Sequence, residues 1–307
     1  MSGPAEREVR DSEAGEAAER EVRDSQIGEP AGRGYLHGHH DAVLRSHRER
    51  TAENSAAYLL PRLRPGASLL DVGCGPGTIT VGLAAHLPGG RVIGIDAAAQ
   101  VLEEAEAHAA EQRRATDADL DFQVADVYAL PFATGEFDVV HAHQVLQHLA
   151  DPVAALVEMR RVCRPGGVVA VRDADYGAMF WSPERTELAA WQALYRSVAR
   201  SVGGEPDAGR QLRAWALGAG LSTVDQTASA WCFATPAERT WWAGLWAERV
   251  TSSRFAELAV AGGFAEPEEL RLLATGWLRW AEGEDACFVV PHVELLCEVS
   301  AAPATGE

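Results

Sequence analysis

The chain has 307 residues, 47% of them hydrophobic, enough to bury a large core in one or two domains. Its 27 basic residues are all arginine and face 45 acidic ones, a formal charge of -18 that argues against nucleic acid as substrate and favours a small molecule. No run approaches the roughly 18–20 consecutive apolar residues of a membrane span, and the charged beginning has no apolar signal-peptide core, so a cytoplasmic protein is expected. Five scattered cysteines (Cys74, Cys163, Cys232, Cys287, Cys297) contain no Cys-x-x-Cys pair and read as reduced thiols.

In chain order, residues 1–33 read as a disordered acidic tail; they hold a near-duplication, Ala5 to Ser12 and Ala18 to Ser25, too short for a repeat fold. Residues 34–66 carry apolar positions at Val43, Leu44, Ala52, Ala56, Ala57 and Leu60 that suggest helices packed on the core. His37, His39 and His40 lack the carboxylate and cysteine frame of a metal site, so no metal is expected there. From 67 to 176, strands are expected at 68–72, 91–95, 121–124, 137–142 and 167–173 with helices between them, the alternation of a parallel sheet covered on both faces. The part from 177 to 307 holds all nine tryptophans. It reads as a helix at 184–202 and two strands at 222–233 and 286–299, with helices at 237–258 and 267–280 inserted between those strands.

The densest chemistry lies where the first strand, Leu69-Leu-Asp-Val, runs into Gly73-Cys-Gly-Pro-Gly77 and then a helix. Alternating glycines let the backbone take positive φ and approach a ligand closely, and the helix start offers free N–H groups. A dinucleotide loop needs a third glycine at position 78, where Thr78 stands, so nicotinamide and flavin are disfavoured. A phosphate-binding P-loop needs a lysine, and the chain has none. Taken singly, this turn is also what a tight strand-to-helix junction looks like, Asp96 what a helix N-cap looks like, and Asp126 what a turn aspartate looks like.

Together the segments resemble class I methyltransferases that use S-adenosylmethionine (SAM), of the methyltransferase-domain 11/25 type, with a core similar to the ubiquinone and menaquinone biosynthesis enzymes. Asp71-x-Gly-x-Gly-x-Gly77 resembles motif I; Asp96 ends the second strand, where the family binds the ribose hydroxyls; Val101 matches the adenine-packing position; Asp126 and Val127 match the adenine-edge segment. Phe137 to Leu149 and Arg164 to Val171 resemble the fourth strand with its helix and the turn into the fifth strand. The resemblance implies a Rossmann-like, doubly wound, mostly parallel seven-stranded sheet with helices on both faces, an N-terminal helical lid at 34–66, a SAM-binding core at 67–176, and a helical insertion between the last two strands.

It also implies SAM held by Tyr35, Gly73, Cys74, Gly75, Gly77, Asp96, Ala97, Val101, Asp126, Val127 and His143. Candidate bases are His143 and His148, since histidine suits proton removal near neutral pH; His148 is expected on a helix, facing away from His143. Asp175 and Tyr176 follow them as weaker base candidates. His39, His40, Tyr176, Trp181, Trp231 and Trp242 are the substrate-side candidates, for a small hydrophobic or aromatic acceptor methylated on oxygen or carbon, in a monomer or homodimer. A SAM-binding enzyme of this fold with cyclase or rearrangement chemistry, and a noncatalytic SAM-responsive protein, are the alternatives. An NAD(P)-dependent oxidoreductase is more distant because of Thr78.

Overall fold

A computed structural model describes residues 41–112 and 117–300. The acidic tail, Tyr35, His37, His39 and His40 lie outside the described residues.

Five parallel strands come from largely apolar runs: β1 (Ser68–Val72), β2 (Arg91–Asp96), β3 (Asp119–Val124), β4 (Phe137–His143) and β5 (Cys163–Ala174). They lie in the order β3-β2-β1-β4-β5, so the chain reverses direction of growth at β1 and β4 and leaves a crevice at their carboxyl ends. Two long strands, β7 (Ser222–Phe233) and β8 (Cys287–Glu298), complete the sheet. β8 runs antiparallel between β5 and β7, pairing Ala174 with His292 on one side and Ser229 with His292 on the other. A short strand unmarked in the sequence, β6 (Phe180–Ser182), extends the β5 side of β8 by pairing with Cys287 to Val289.

Because side chains alternate across a strand, each central strand feeds two cores. Leu69, Val92, Val139, Ala170 and Leu296 meet α2 (Ala52–Ser55), α3 (Thr78–Ala85) and α4 (Ala99–Gln112) on one face. Leu70, Ile93, Val140, Val171 and Leu295 meet α5 (Pro152–Val162) and α7 (Leu212–Gly218) on the other. A third cluster is aromatic and joins α6 (Thr186–Ser201) to the insertion helices α8 (Pro236–Ser252), α9 (Arg254–Ala261) and α10 (Pro267–Ala281).

One helix was expected at 237–258, but two are present. Ser253 takes an extended conformation and its hydroxyl accepts from the Phe255 N–H, ending α8 and starting α9 where three consecutive hydroxyl residues compete with helical bonding. Ahead of β1, α1 (Asp41–Arg48) and α2 lie across both layers. Arg45 pairs with Glu248 and Arg249 bonds Ser46 in α8, while Arg48 holds Glu104 of α4 at 3.0 Å and Ala52 packs under Gly82.

Candidate active site

The turn after β1 has Gly73, Gly75 and Gly77 at φ of 66°, 55° and 76°, all left-handed. A Cβ on Gly73 would stand 2.5 Å from Val145 Cγ2 and one on Gly77 2.8 Å from Ala105 Cβ, whereas one on Gly75 would meet only His47 Nδ1 at 3.9 Å. Packing therefore demands the outer two glycines, whereas among the described residues the middle one would meet only that imidazole. Asp96 braces that turn: its Oδ2 accepts the Gly75 N–H and its Oδ1 the Ala98 N–H, both at 3.0 Å. Cys74 is buried beneath, its N–H donating to Ile95 at 2.9 Å and its thiol pushed up by burial and by Asp71 and Asp96.

Nearby, Ala97 is exposed and Val101, on the first turn of α4, is packed into the core. The Ala125 N–H donates to the Asp96 carbonyl at 3.1 Å, bringing the end of β3 beside the end of β2. Asp126 is exposed there and accepts the Tyr128 N–H at 2.9 Å; Val127 is half-buried. Glycine turn, Asp96 and Asp126 thus gather at the carboxyl ends of β1, β2 and β3, a left-handed turn flanked by carboxylates suited to a ligand with hydroxyls and a cationic or amino group.

Along the same face toward β7 runs a buried polar ladder that sequence reasoning caught only at His143 and Trp231. On β1 and β4, Asp71 Oδ1 accepts from His141 Nδ1 at 2.7 Å, and Thr80 donates to Asp71 Oδ2 at 2.6 Å. His143, two residues on, shares this face of β4 and ends the strand. Arg172 on β5 reaches His143 Nδ1 at 3.4 Å, Glu294 of β8 at 3.1 Å and Ser229 of β7 at 3.0 Å. Thr227 donates to the other Glu294 oxygen at 2.6 Å. An ion pair this buried is costly unless its remaining sites are bonded, and here the two hydroxyls do that.

Trp231 forms the wall. Its ring lies 4.4 Å from His292 and 5.9 Å from His143, with the guanidiniums of Arg172 and Arg50 at 5.2 and 5.5 Å. Its Nε1 donates to the Asn54 carbonyl at 3.0 Å, tying the segment before β1 over the ladder. Arg50 also donates to Gln144 Oε1 at 2.9 Å, and Gln144 is the one non-glycine residue with positive φ among the described residues, at 54°. The Tyr58 hydroxyl and the Nε2 atoms of His141 and His143 are buried without hydrogen-bond partners in this region. Burial, Arg172 and Arg50, with His292 and His141, hold the His143 imidazole well below its ordinary value.

His148 does not sit on a regular helix; it closes a 3₁₀ turn (Leu146–His148) before α5, bonded to Gln147 at 3.1 Å. Burial and Arg50 push it down to about 3. Tyr176 stacks on Tyr195 at 4.1 Å, Trp242 on Phe233 at 4.2 Å and half-buried Trp181 on Phe288 at 5.7 Å. These three belong to the aromatic cluster rather than to the ladder. Asp175 bonds Arg210 at 2.6 Å and caps its own turn. Among the described residues no group of three or more His, Cys, Asp or Glu could hold a metal, and no helix is long and apolar enough to cross a membrane.

Residues 70–171 match the family described as methyltransferase domain. An uncharacterized methyltransferase of Schizosaccharomyces pombe is 37% identical over 270 residues, 85% of this chain and 95% of its own length. An O-methyltransferase of Aspergillus sclerotiorum is 34% identical over 140 residues, 46% of this chain and 51% of that protein. A solved N-methyltransferase of Haemonchus contortus, in complex with phosphomonomethylethanolamine and S-adenosylhomocysteine, shares the fold at a TM-score of 0.52 and 16% identity, covering 85% of this chain and 57% of that one. A relative matched along nearly its whole length, on a sheet of this order, shows that the chain belongs to the methyltransferase family.

Proposed function

We propose that the chain binds SAM at the glycine turn and methylates a small hydrophobic or aromatic metabolite, on oxygen or carbon. The observation that carries this is Gly75: it is left-handed, a Cβ there would meet only the His47 imidazole among the described residues, at 3.9 Å, and its N–H is held by Asp96. A backbone kept bare and braced in this way fits a ligand that lies against it. Gly73, Gly75 and Gly77 would hold the cofactor's amino-acid part, Asp96 its ribose and Asp126 its adenine edge, with Cys74 and Val101 closing the floor. Bound SAM supplies an electrophilic methyl group. The S-adenosylhomocysteine in the Haemonchus contortus enzyme of the same fold supports that choice.

The acceptor's place is the ladder beyond His143, walled by Trp231. Residues 41–66 act as a lid, because Arg50 and Asn54 reach Gln144 and Trp231 across it. Alignment of two bound reactants supplies much of the rate, since effective molarities reach about 10⁵ to 10⁸ M. The Trp231 wall suits a hydrophobic or aromatic metabolite, the net charge of -18 disfavours nucleic acid, and a cytoplasmic setting fits the reduced thiols. Calorimetry with SAM, S-adenosylhomocysteine and NADH tests the cofactor. Micromolar SAM binding that is lost in Asp96→Ala is expected; binding of NADH alone refutes the reading. Release of S-adenosylhomocysteine across an acceptor panel then separates methyl transfer from cyclisation or mere binding.

A further inference from the structure

We infer that His143 meets the acceptor as a neutral hydrogen-bond donor through Nε2–H, in a tautomer fixed by the buried Arg172–Glu294 pair. The site then takes an acceptor that offers an oxygen lone pair, a carbonyl or an already ionised hydroxyl, and removes no proton through His143. This rests on the methyltransferase reading and gives Arg172 and Glu294 positioning roles.

A guanidinium has only donors. Arg172 Nη1 faces His143 Nδ1 at 3.4 Å, long for a hydrogen bond, yet an N–H on Nδ1 would still be turned hydrogen-to-hydrogen against a cation. Nδ1 therefore keeps its lone pair, and the neutral ring carries its proton on Nε2. Arg172 cannot swing aside. Its Nε bonds Glu294 Oε1 at 3.1 Å and its Nη2 bonds Ser229 at 3.0 Å, while Thr227 and Ser229 anchor the carboxylate.

The charged and titratable groups facing the ring from neighbouring elements act the same way: Arg172 from β5, Arg50 from the segment before β1, His292 from β8 and His141 from its own strand all disfavour imidazolium. The second histidine obeys a parallel logic. Arg50 donates to Gln144 Oε1 at 2.9 Å, so the amide nitrogen faces His292 Nε2 at 2.7 Å, and that atom accepts. His292 is neutral too, held well below its ordinary value by burial and by Arg172 and Arg50. What remains at the end of β4 is the Nε2–H of His143, buried and without a protein partner. A buried donor of this kind matches an oxygen of the ligand that covers it.

The test is nitrogen NMR of the full chain carrying 15N-labelled histidine, from about pH 5.5 to 8.5, with the His143 signals identified by their loss in His143→Ala. The expected result is a protonated Nε2, a bare Nδ1 and no titration across the range. A protonated Nδ1, or a midpoint near ordinary histidine, overturns the proposal. Arg172→Met is expected to mix the tautomers or bring titration into the range, and Arg172→Lys, which still points a donor at Nδ1, to keep the wild-type pattern. An unchanged pattern in Arg172→Met overturns the positioning role. Should that variant not fold, Arg172→Leu, which likewise has no donor to point at Nδ1, is read in the same way. SAM titration of the wild type is scored separately: its failure sinks the methyltransferase reading and leaves the tautomer result standing.

Discussion

Replacing Gly75 by alanine separates what the glycine turn does for the fold from what it does for a ligand. At φ of 55° an alanine is strained by roughly 1–2 kcal/mol, partly offset by about 0.4–1 kcal/mol from the stiffer unfolded chain. The new methyl meets nothing closer than His47 Nδ1 at 3.9 Å, so no packing term is added. Net destabilisation of about 1 kcal/mol is expected from urea unfolding. Gly73→Ala has the same backbone strain and also drives its Cβ to 2.5 Å from Val145, an overpacking of about 1–3 kcal/mol more. If the cofactor lies against Gly75, the methyl overlaps it and costs a similar 1–3 kcal/mol of binding, roughly a 5- to 150-fold weaker Kd for SAM by calorimetry. Gly75→Ala binding SAM within about twofold of wild type would refute the contact. Equal loss of stability in the two variants would refute the packing distinction.

Asp96→Ala removes the acceptor for two backbone N–H groups, and an unfolding loss of about 1–3 kcal/mol should accompany its weakened SAM binding. Asp173 is pushed up to about 8 by burial, so the native state keeps a proton that the unfolded chain has lost above its ordinary value of 3.8. Its contribution therefore falls as pH rises from about 4 to about 8, by about 3 kcal/mol between pH 5 and 7; the stability difference between wild type and Asp173→Asn, followed by urea unfolding, should show that slope. Trp191 meets Trp246 and Trp277 edge-on at 4.4 and 4.8 Å, and Trp191→Ala should cost about 3–5 kcal/mol in urea unfolding. Trp231→Ala should instead weaken acceptor turnover more than stability, measured as kcat/KM beside the unfolding midpoint, because its ring borders the ladder at the edge of the aromatic cluster.

The glycine-turn half of the candidate site was legible because it is local. Gly73 to Gly77 and Asp96 mark themselves by residue type at strand ends, and the hydrogen bond that joins Asp96 to Gly75 spans only 21 residues. The ladder was not, since Arg172 meets Glu294 across 122 residues and Gln144 meets His292 across 148. A signal was present: His141 and His143, Arg172, and His292 and Glu294 are polar residues at alternate positions in otherwise apolar strands, which a fully buried parallel sheet does not explain. The tryptophan-rich part misled differently. Nine tryptophans suggested a pocket, but Trp191, Trp246, Trp277 and Trp280 fill the core of the insertion at 0–1% exposure, and composition alone does not distinguish lining from filling.

The antiparallel insertion of β8 has a consequence for assembly. Until that strand docks, β5 and β7 are both open edges with unpaired N–H and carbonyl groups, the kind of surface that recruits other chains. Arg172 meanwhile lacks its carboxylate and His143 its fixed neighbour, although the glycine turn and Asp96 can already be in place. On the function proposed above, the glycine turn and the ladder would then form separately, the second waiting on contacts of long sequence separation that close slowly. A chain in which β8 has yet to dock would keep the proposed cofactor turn and lack the proposed acceptor wall.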